Sequence, residues 1–157
     1  MILTAFILKQ KSMKASNFLN SDQQKMIVSA IKEAELNTSG EIRLHIETKC
    51  KIDVLDRASQ IFSQLKMHKT KLRNGVLFYL SIEDKQFAIL GDGGINAKVA
   101  EDFWQMETDL IIKHFKENQF AEGLAKGIIM AGEQLKKYFP YQDDDVNELS
   151  DDISFGK

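Results

Sequence analysis

Cysteine and proline are nearly absent: Cys50 and Pro140 each stand alone in 157 residues. A single cysteine excludes an internal disulfide and any cysteine-based zinc or iron–sulfur site, and it suits a reducing compartment. No histidine or asparagine stands in a recognisable relation to Cys50, so it reads as an ordinary side chain. Long apolar runs are missing too, since no stretch approaches the roughly eighteen residues that a membrane span needs. The apolar start, Met1 to Leu8, comes before Lys9, Lys11 and Lys14. A secretory signal has its bases first, so this segment reads as a loosely attached extension, with Met13 as an alternative start. These absences predict a soluble, cytoplasmic protein with no membrane insertion.

Catalytic signatures are equally scarce. His45, His68 and His114 lie 23 and 46 residues apart, which gives no local metal spacing. Gly91-Asp92-Gly93-Gly94-Ile95-Asn96 lacks the third glycine of a dinucleotide fingerprint, and neither a Walker A lysine nor a Gly-x-Ser-x-Gly elbow occurs. No organic cofactor is expected. The basic stretch Lys66–Arg73 has no interleaved aromatics, so it reads as a solvated link and not as a nucleic-acid surface.

What is present is ordinary in amount and uneven in placement. Hydrophobic residues make up 43% and charged residues 28%, as in one globular domain, which excludes a collagen-like, disulfide-stapled or wholly disordered chain. The net charge of −2 conceals a split. Residues 141–157 carry six acids against one base, whereas the 140 residues before them carry 20 bases and 17 acids. The expected organisation is a flexible extension over 1–16, one α/β domain over 17–140, and an acidic, disordered tail over 141–157 in which Ile153 and Phe155 are the residues able to dock.

Ser21-Asp22-Gln23-Gln24 reads as a capping box opening a helix to about Leu36, with Met26, Ile27, Ala30, Ile31 and Ala34 on one face. Glu41 to Thr48 alternates strictly, so Ile42, Leu44 and Ile46 should be buried while Glu41, Arg43, His45 and Glu47 face outward. Asp53 can cap a second helix with the stripe Val54, Ala58, Ile61, Phe62 and Leu65. Val76–Ile82 is apolar on both faces and reads as a central strand, and Gln86–Leu90 follows after a link so short that the pair must be an antiparallel hairpin. Two long helices close the domain. The first spans about Asp102–Asn118, with Phe103, Met106, Leu110, Ile111 and Phe115 inward. The second spans about Phe120–Tyr138, with Leu124, Ile128, Ala131 and Leu135 inward. Gly123, Gly127 and Gly132 inside the last helix point to close helix–sheet approach.

The helix between the first two strands makes them parallel. Their N-terminal ends and the C-terminal end of the third strand then share one edge of the sheet. Ser39-Gly40-Glu41, Arg73-Asn74-Gly75 and Gly91-Asp92-Gly93-Gly94 meet there, with Asp102 nearby. Carboxylates, an Asn amide and turn carbonyls are oxygen ligands that suit Ca²⁺ or Mg²⁺ and not zinc. Glu41, Asp92, Asn74 and Asp102 are the candidate metal ligands, and Arg73 and His68 the candidate phosphate-binding residues. The bland alternative at each position is an ordinary turn.

Several of these segments together resemble the TPM domain family, whose name reflects thylakoid-lumen, photosystem II repair and nematode receptor-modulator members. They are Thr38-Ser39-Gly40-Glu41-Ile42-Arg43-Leu44-His45-Ile46, His68-Lys69-Thr70-Lys71-Leu72-Arg73-Asn74-Gly75-Val76-Leu77, Gly91-Asp92-Gly93-Gly94-Ile95, Phe103-Trp104, and Gly123-Leu124 with Gly127-Ile128. The likeness covers about residues 17–140 and is to the short, stand-alone bacterial members. It implies a three-layer α/β/α sandwich around a small mixed sheet, and an acidic pocket for a divalent cation. Glu41 matches the Ser-Gly-Glu motif, Asn74 the Arg-Asn-Gly motif and Asp92 the Gly-Asp turn, with Asp102 a looser match. Some thylakoid members are described as weak acid phosphatases, so the resemblance implies a phosphoester substrate, whereas the receptor-modulator members imply a protein partner and a non-catalytic role. The chain lacks the signal peptide, membrane anchor and glycine-rich tail of many relatives, which argues against an envelope location.

Overall fold

The computed structural model describes the backbone of residues 2–5 and the whole of residues 13–141 and 148–157. Gln142 to Asn147, the start of the expected tail, lie outside the described residues. Helix α1 spans Ser21–Glu35. Its N-cap is Asn20, one residue earlier than expected, and the reciprocal partner is Gln23: each side chain takes the other's backbone N–H at 2.8 Å. Strand β2 covers Glu41–Glu47, and Asp53 caps helix α2, Val54–Gln64, by accepting from Leu55 and Asp56 N–H. Strands β3, Gly75–Ser81, and β4, Gln86–Gly91, follow as a hairpin. A single turn, α3, Gly93–Asn96, leads to α4, Phe103–Lys116, and α5, Phe120–Tyr138. Among the described residues, no helix is long and apolar enough to cross a membrane.

The architecture is the expected three-layer α/β/α sandwich. Strand β2 runs parallel to β3 in the register Glu41↔Gly75 to Glu47↔Ser81, and β3 runs antiparallel to β4. One face of the sheet (Ile42, Leu44, Ile46, Val76, Phe78, Leu80, Phe87, Ile89) packs with α1, α4 and α5 in the larger core. The other (Leu77, Tyr79, Ala88, Leu90) packs under α2.

Several expectations at the edges need correction. The sheet has five strands and not three, because Ile2–Ala5 adds β1 and Ser154–Phe155 adds β5, in the order β1-β4-β3-β2-β5. Within the expected extension, residues 2–5 and 13–16 are described. Ile2–Ala5 forms β1, antiparallel to β4. Ala15 is buried, and its N–H donates to Thr48 Oγ1 at 2.9 Å. At the other end Ser154–Phe155 forms β5, parallel to β2. Strand β2 is consequently buried on both faces, with Glu41, His45 and Glu47 inside it and Arg43 partly covered. Alternation told the two faces apart, but it could not tell that the polar face would be covered.

Helix α4 is turned relative to its expected stripe. Met106 is 59% exposed, while Trp104, Glu107 and Thr108 point inward. Both Glu107 carboxylate oxygens are buried without a hydrogen-bond partner among the described residues, and burial pushes its pKa well up. The glycines of α5 serve helix–helix and not helix–sheet approach. A Cβ at Gly127 would meet Ile111 of α4, and one at Gly132 would lie 2.5 Å from Ala34 Cβ of α1. In the turn after β4 none of the glycines has positive φ; Asp92 N-caps α3, and Gly94 is pressed against the Leu72 and Arg73 carbonyls.

Candidate functional site

The three strand ends meet as expected at the level of the backbone. Glu41 N–H donates to the Asn74 carbonyl (3.4 Å), Asp92 N–H to that of Gly75 (2.9 Å) and Gly94 N–H to that of Arg73 (2.8 Å). The side chains divide into separate groups.

Asp92 is claimed by Arg73, which takes the left-handed conformation (φ 54°) just before Asn74. Arg73 Nε donates to Asp92 Oδ2 at 2.7 Å and Nη2 to Oδ1 at 2.8 Å, the bidentate fork that suits a carboxylate. Gly93 N–H adds a third bond at 2.8 Å. Burial raises the Asp92 pKa, but Arg73 and the Gly93 amide outweigh it, with a smaller contribution from His68, and hold the carboxyl below its usual range. A candidate metal ligand and a candidate phosphate binder thus neutralise each other. His68 sits exposed in the short 3-10 turn Met67–Lys69. Asp102 is exposed at the start of α4 and caps nothing.

Glu41 and Asn74 are both buried, at 2% and 1% exposure. Glu41 Oε1 accepts from Glu148 N–H at 2.6 Å, and Asn74 Nδ2 donates to Ser39 Oγ at 3.3 Å. The other oxygen of each, Glu41 Oε2 and Asn74 Oδ1, has no hydrogen-bond partner among the described residues. A buried acceptor without a donor costs about 1–3 kcal/mol, so each of these two atoms is left electrostatically incomplete.

Two carboxylates stand beside Glu41 that the sequence did not single out. Glu35, at the end of α1, accepts from Ile42 N–H at 2.7 Å, and Asp151 comes in from the tail. With Glu41, Thr38, Ser39 and Tyr141 they line a cavity of about 350 Å³. Burial, and then the contact with Asp151, push the Glu35 pKa up to about 10 against the Ile42 amide. Burial likewise pushes Glu41 up to about 7, opposed by the Glu148 amide and by Glu35. Near neutral pH this group is therefore holding protons. Among the described residues, no three Asp, Glu, His or Cys side chains are grouped so as to hold a metal ion.

Six residues along the same strand the chemistry reverses. Glu47 accepts from Arg57 Nε at 3.1 and 3.0 Å, from Arg57 Nη2 and from Tyr79 Oη, and His45 Nε2 stands 3.4 Å away. Burial alone would raise this carboxyl, but the bonds from His45, Arg57 and Tyr79 together pull it down to about 2. Burial and Glu47 push the Tyr79 phenol up. The sequence held one signal for this network: four ionisable residues of mixed sign at alternate strand positions, beside a helix carrying Arg57.

No curated protein matches the chain. A solution structure of BA42 from the psychrophilic bacterium Bizionia argentinensis is 51% identical, covering 91% of this chain and 99% of that one at a TM-score of 0.84. The N-terminal domain of a P. gingivalis protein matches at 16% identity (81% and 84% coverage, TM-score 0.67), and that of the cg2496 protein of Corynebacterium glutamicum at 12% (84% and 88%, TM-score 0.61). These two are likenesses of fold alone. The family model of the TPM domain matches residues 12–134, and the chain belongs to the TPM domain family.

Proposed function

We propose that the chain is a cytoplasmic, divalent-cation-binding module that takes Ca²⁺ or Mg²⁺ at the Glu41–Asn74 sheet edge and uses the bound state to engage a protein partner. The observation that carries this reading is the pair of bare, buried oxygens, Glu41 Oε2 and Asn74 Oδ1, on neighbouring strand ends. Both are hard oxygen donors of the kind these ions take, and Ca²⁺ in particular completes a loose shell with carbonyls and water. Glu35 and Asp151 lie beside Glu41 to add charge. Asp92 and Asp102, half of the ligand set expected from the motifs, contribute little: one is held by Arg73 and the other faces solvent. A bound ion would offer Lewis acidity to a phosphoester, but Arg73 would first have to leave Asp92 to steady the phosphoryl charge. That requirement favours binding over hydrolysis.

A cation must displace protons from Glu41 and Glu35, so affinity should rise as pH passes about 7. The test is thermal melting with Ca²⁺ or Mg²⁺ at pH 6 and pH 8, for wild type, Glu41→Gln and Asn74→Ala. At about 100 times Kd the ion should add roughly 2.7 kcal/mol, with a larger shift at pH 8 and a loss in both variants. No shift with either ion sinks the proposal. Phosphatase turnover that depends on Glu41 would favour the hydrolytic reading instead.

A further inference from the structure

The polar row of β2 is met residue by residue by the end of the chain. Glu41 Oε1 accepts from Glu148 N–H at 2.6 Å, and Arg43 Nη2 donates to the Asp152 carbonyl at 3.2 Å. His45 Nδ1 stands 2.8 Å from Ser154 Oγ, and Glu47 lies against Gly156, where a Cβ would collide with it. From Arg43 onward the two chains advance together by twos, as parallel strands must. Asp152 and Asp151 also stabilise the Arg43 charge against burial.

This attachment is nonetheless slight. The ladder is two residue pairs, His45↔Ser154 and Ile46↔Phe155, extended by Gly156 N–H to the Ile46 carbonyl at 2.8 Å. Toward the start of β2, Ile42 N–H is taken by the Glu35 side chain. Phe155 remains 37% exposed. The family match ends at residue 134, so β2 belongs to the common domain and its covering strand lies beyond it.

We propose that the outer edge of β2 is a docking site for an extended peptide of another protein, occupied in cis by residues 148–156. Strand addition supplies backbone bonds, and the alternate side chains of the row set the choice of partner. Read from the cis occupant, the preferred segment carries an acid opposite Arg43, a hydroxyl two residues later opposite His45, and a glycine two further on against Glu47. Arg43 gives charge complementarity, and the Glu47 contact rejects any larger side chain. A tethered strand competes at an effective concentration on the order of millimolar, so the edge stays closed until the tail is weakened or outbid.

The probe is a fluorescein-labelled peptide of residues 148–157, titrated against the full chain by anisotropy in EDTA, so that the result does not depend on the cation site. Gly156→Val loosens the cis strand without touching the β2 row, and Ser154→Pro does so independently by removing a ladder donor. Both should bind the peptide at least about tenfold more tightly than wild type, because the cis competitor is weakened. Adding Arg43→Ala should abolish that gain, and a peptide with both aspartates changed to lysine should not bind. Circular dichroism confirms that each variant is folded. Equal or weaker peptide binding by the folded loosened variants overturns the proposal. So does their conversion to dimers by exchanging tails, which would make a second copy the partner.

Discussion

Glu41 and Glu47 sit on the same face of the same strand, are equally buried, and behave in opposite ways. At the Glu47 end, helix α2 brings in Arg57 and β3 brings in Tyr79, so the carboxylate is ionised and satisfied. At the Glu41 end the neighbours are Glu35 and Asp151, and the carboxylate is left proton-hungry with one bare oxygen. Burial acts equally on both; what differs is the sign of the charge each neighbouring element delivers. One end of β2 therefore has its buried acid satisfied and the other does not, and the proposed cation site lies at the second.

Breaking the satisfied end should have the largest effect. Arg57→Ala strands a buried charge, and since Arg57 itself is 27% exposed the loss should be near the low end of the range for broken buried pairs, about 3 kcal/mol in urea unfolding at pH 7. Next comes relief of the frustrated end. Glu35→Gln keeps an acceptor for Ile42 N–H and removes a buried acid, so at pH 8 it should gain about 1 kcal/mol, a few degrees in Tm for a chain of this size. The pH profile carries the same sign. Glu35 and Glu41 have raised pKa values, so their contribution is present below about 4.5 and is lost as pH rises through about 7 and then about 10. Glu47 is depressed, so its contribution is present above about 4.5 and is lost as pH falls through about 2. Glu35→Gln should therefore flatten the alkaline limb and leave the acid limb unchanged; a variant that lowers both limbs alike would break the contrast. The smallest effect should be Asn74→Ala without a cation. Its Oδ1 has no partner to lose among the described residues, and its side-chain bond from Nδ2 to Ser39 Oγ is long at 3.3 Å, so the cost should stay at about 1 kcal/mol in the same unfolding assay.

The central fold was legible because its signals are local. The apolar run of β3, the hairpin link and the Asp53 cap each depend on a few adjacent residues, and the parallel pairing of β2 and β3 follows from the helix between them. Harder to read were the partners of polar groups. Gly91-Asp92-Gly93-Gly94 announced a carboxylate at the sheet edge, and the backbone does bring it there. That Arg73 would take it depends on a left-handed residue, which no motif spells out. Glu35 closes an amphipathic helix and looks like surface; it matters because the end of α1 falls against Ile42. Met106 faces out and its neighbour Glu107 faces in because α4 packs on α5 as well as on strands β1 and β4, and these long-range contacts set the rotation of the helix about its own axis.

Alternation, caps and apolar runs in the sequence were enough to determine the central strands, the helices between them and, through the helix crossover, the strand directions that bring their ends to one edge, because each signal lies in the chain itself. Whether a carboxylate arriving at that edge would be matched by an arginine, share a proton with a second acid or be covered by a strand from the far end of the chain was decided only in the tertiary structure. A pKa or a bare oxygen is set by whatever lies within a few ångströms in space, and residues 35, 41 and 151 become neighbours only after the chain has folded.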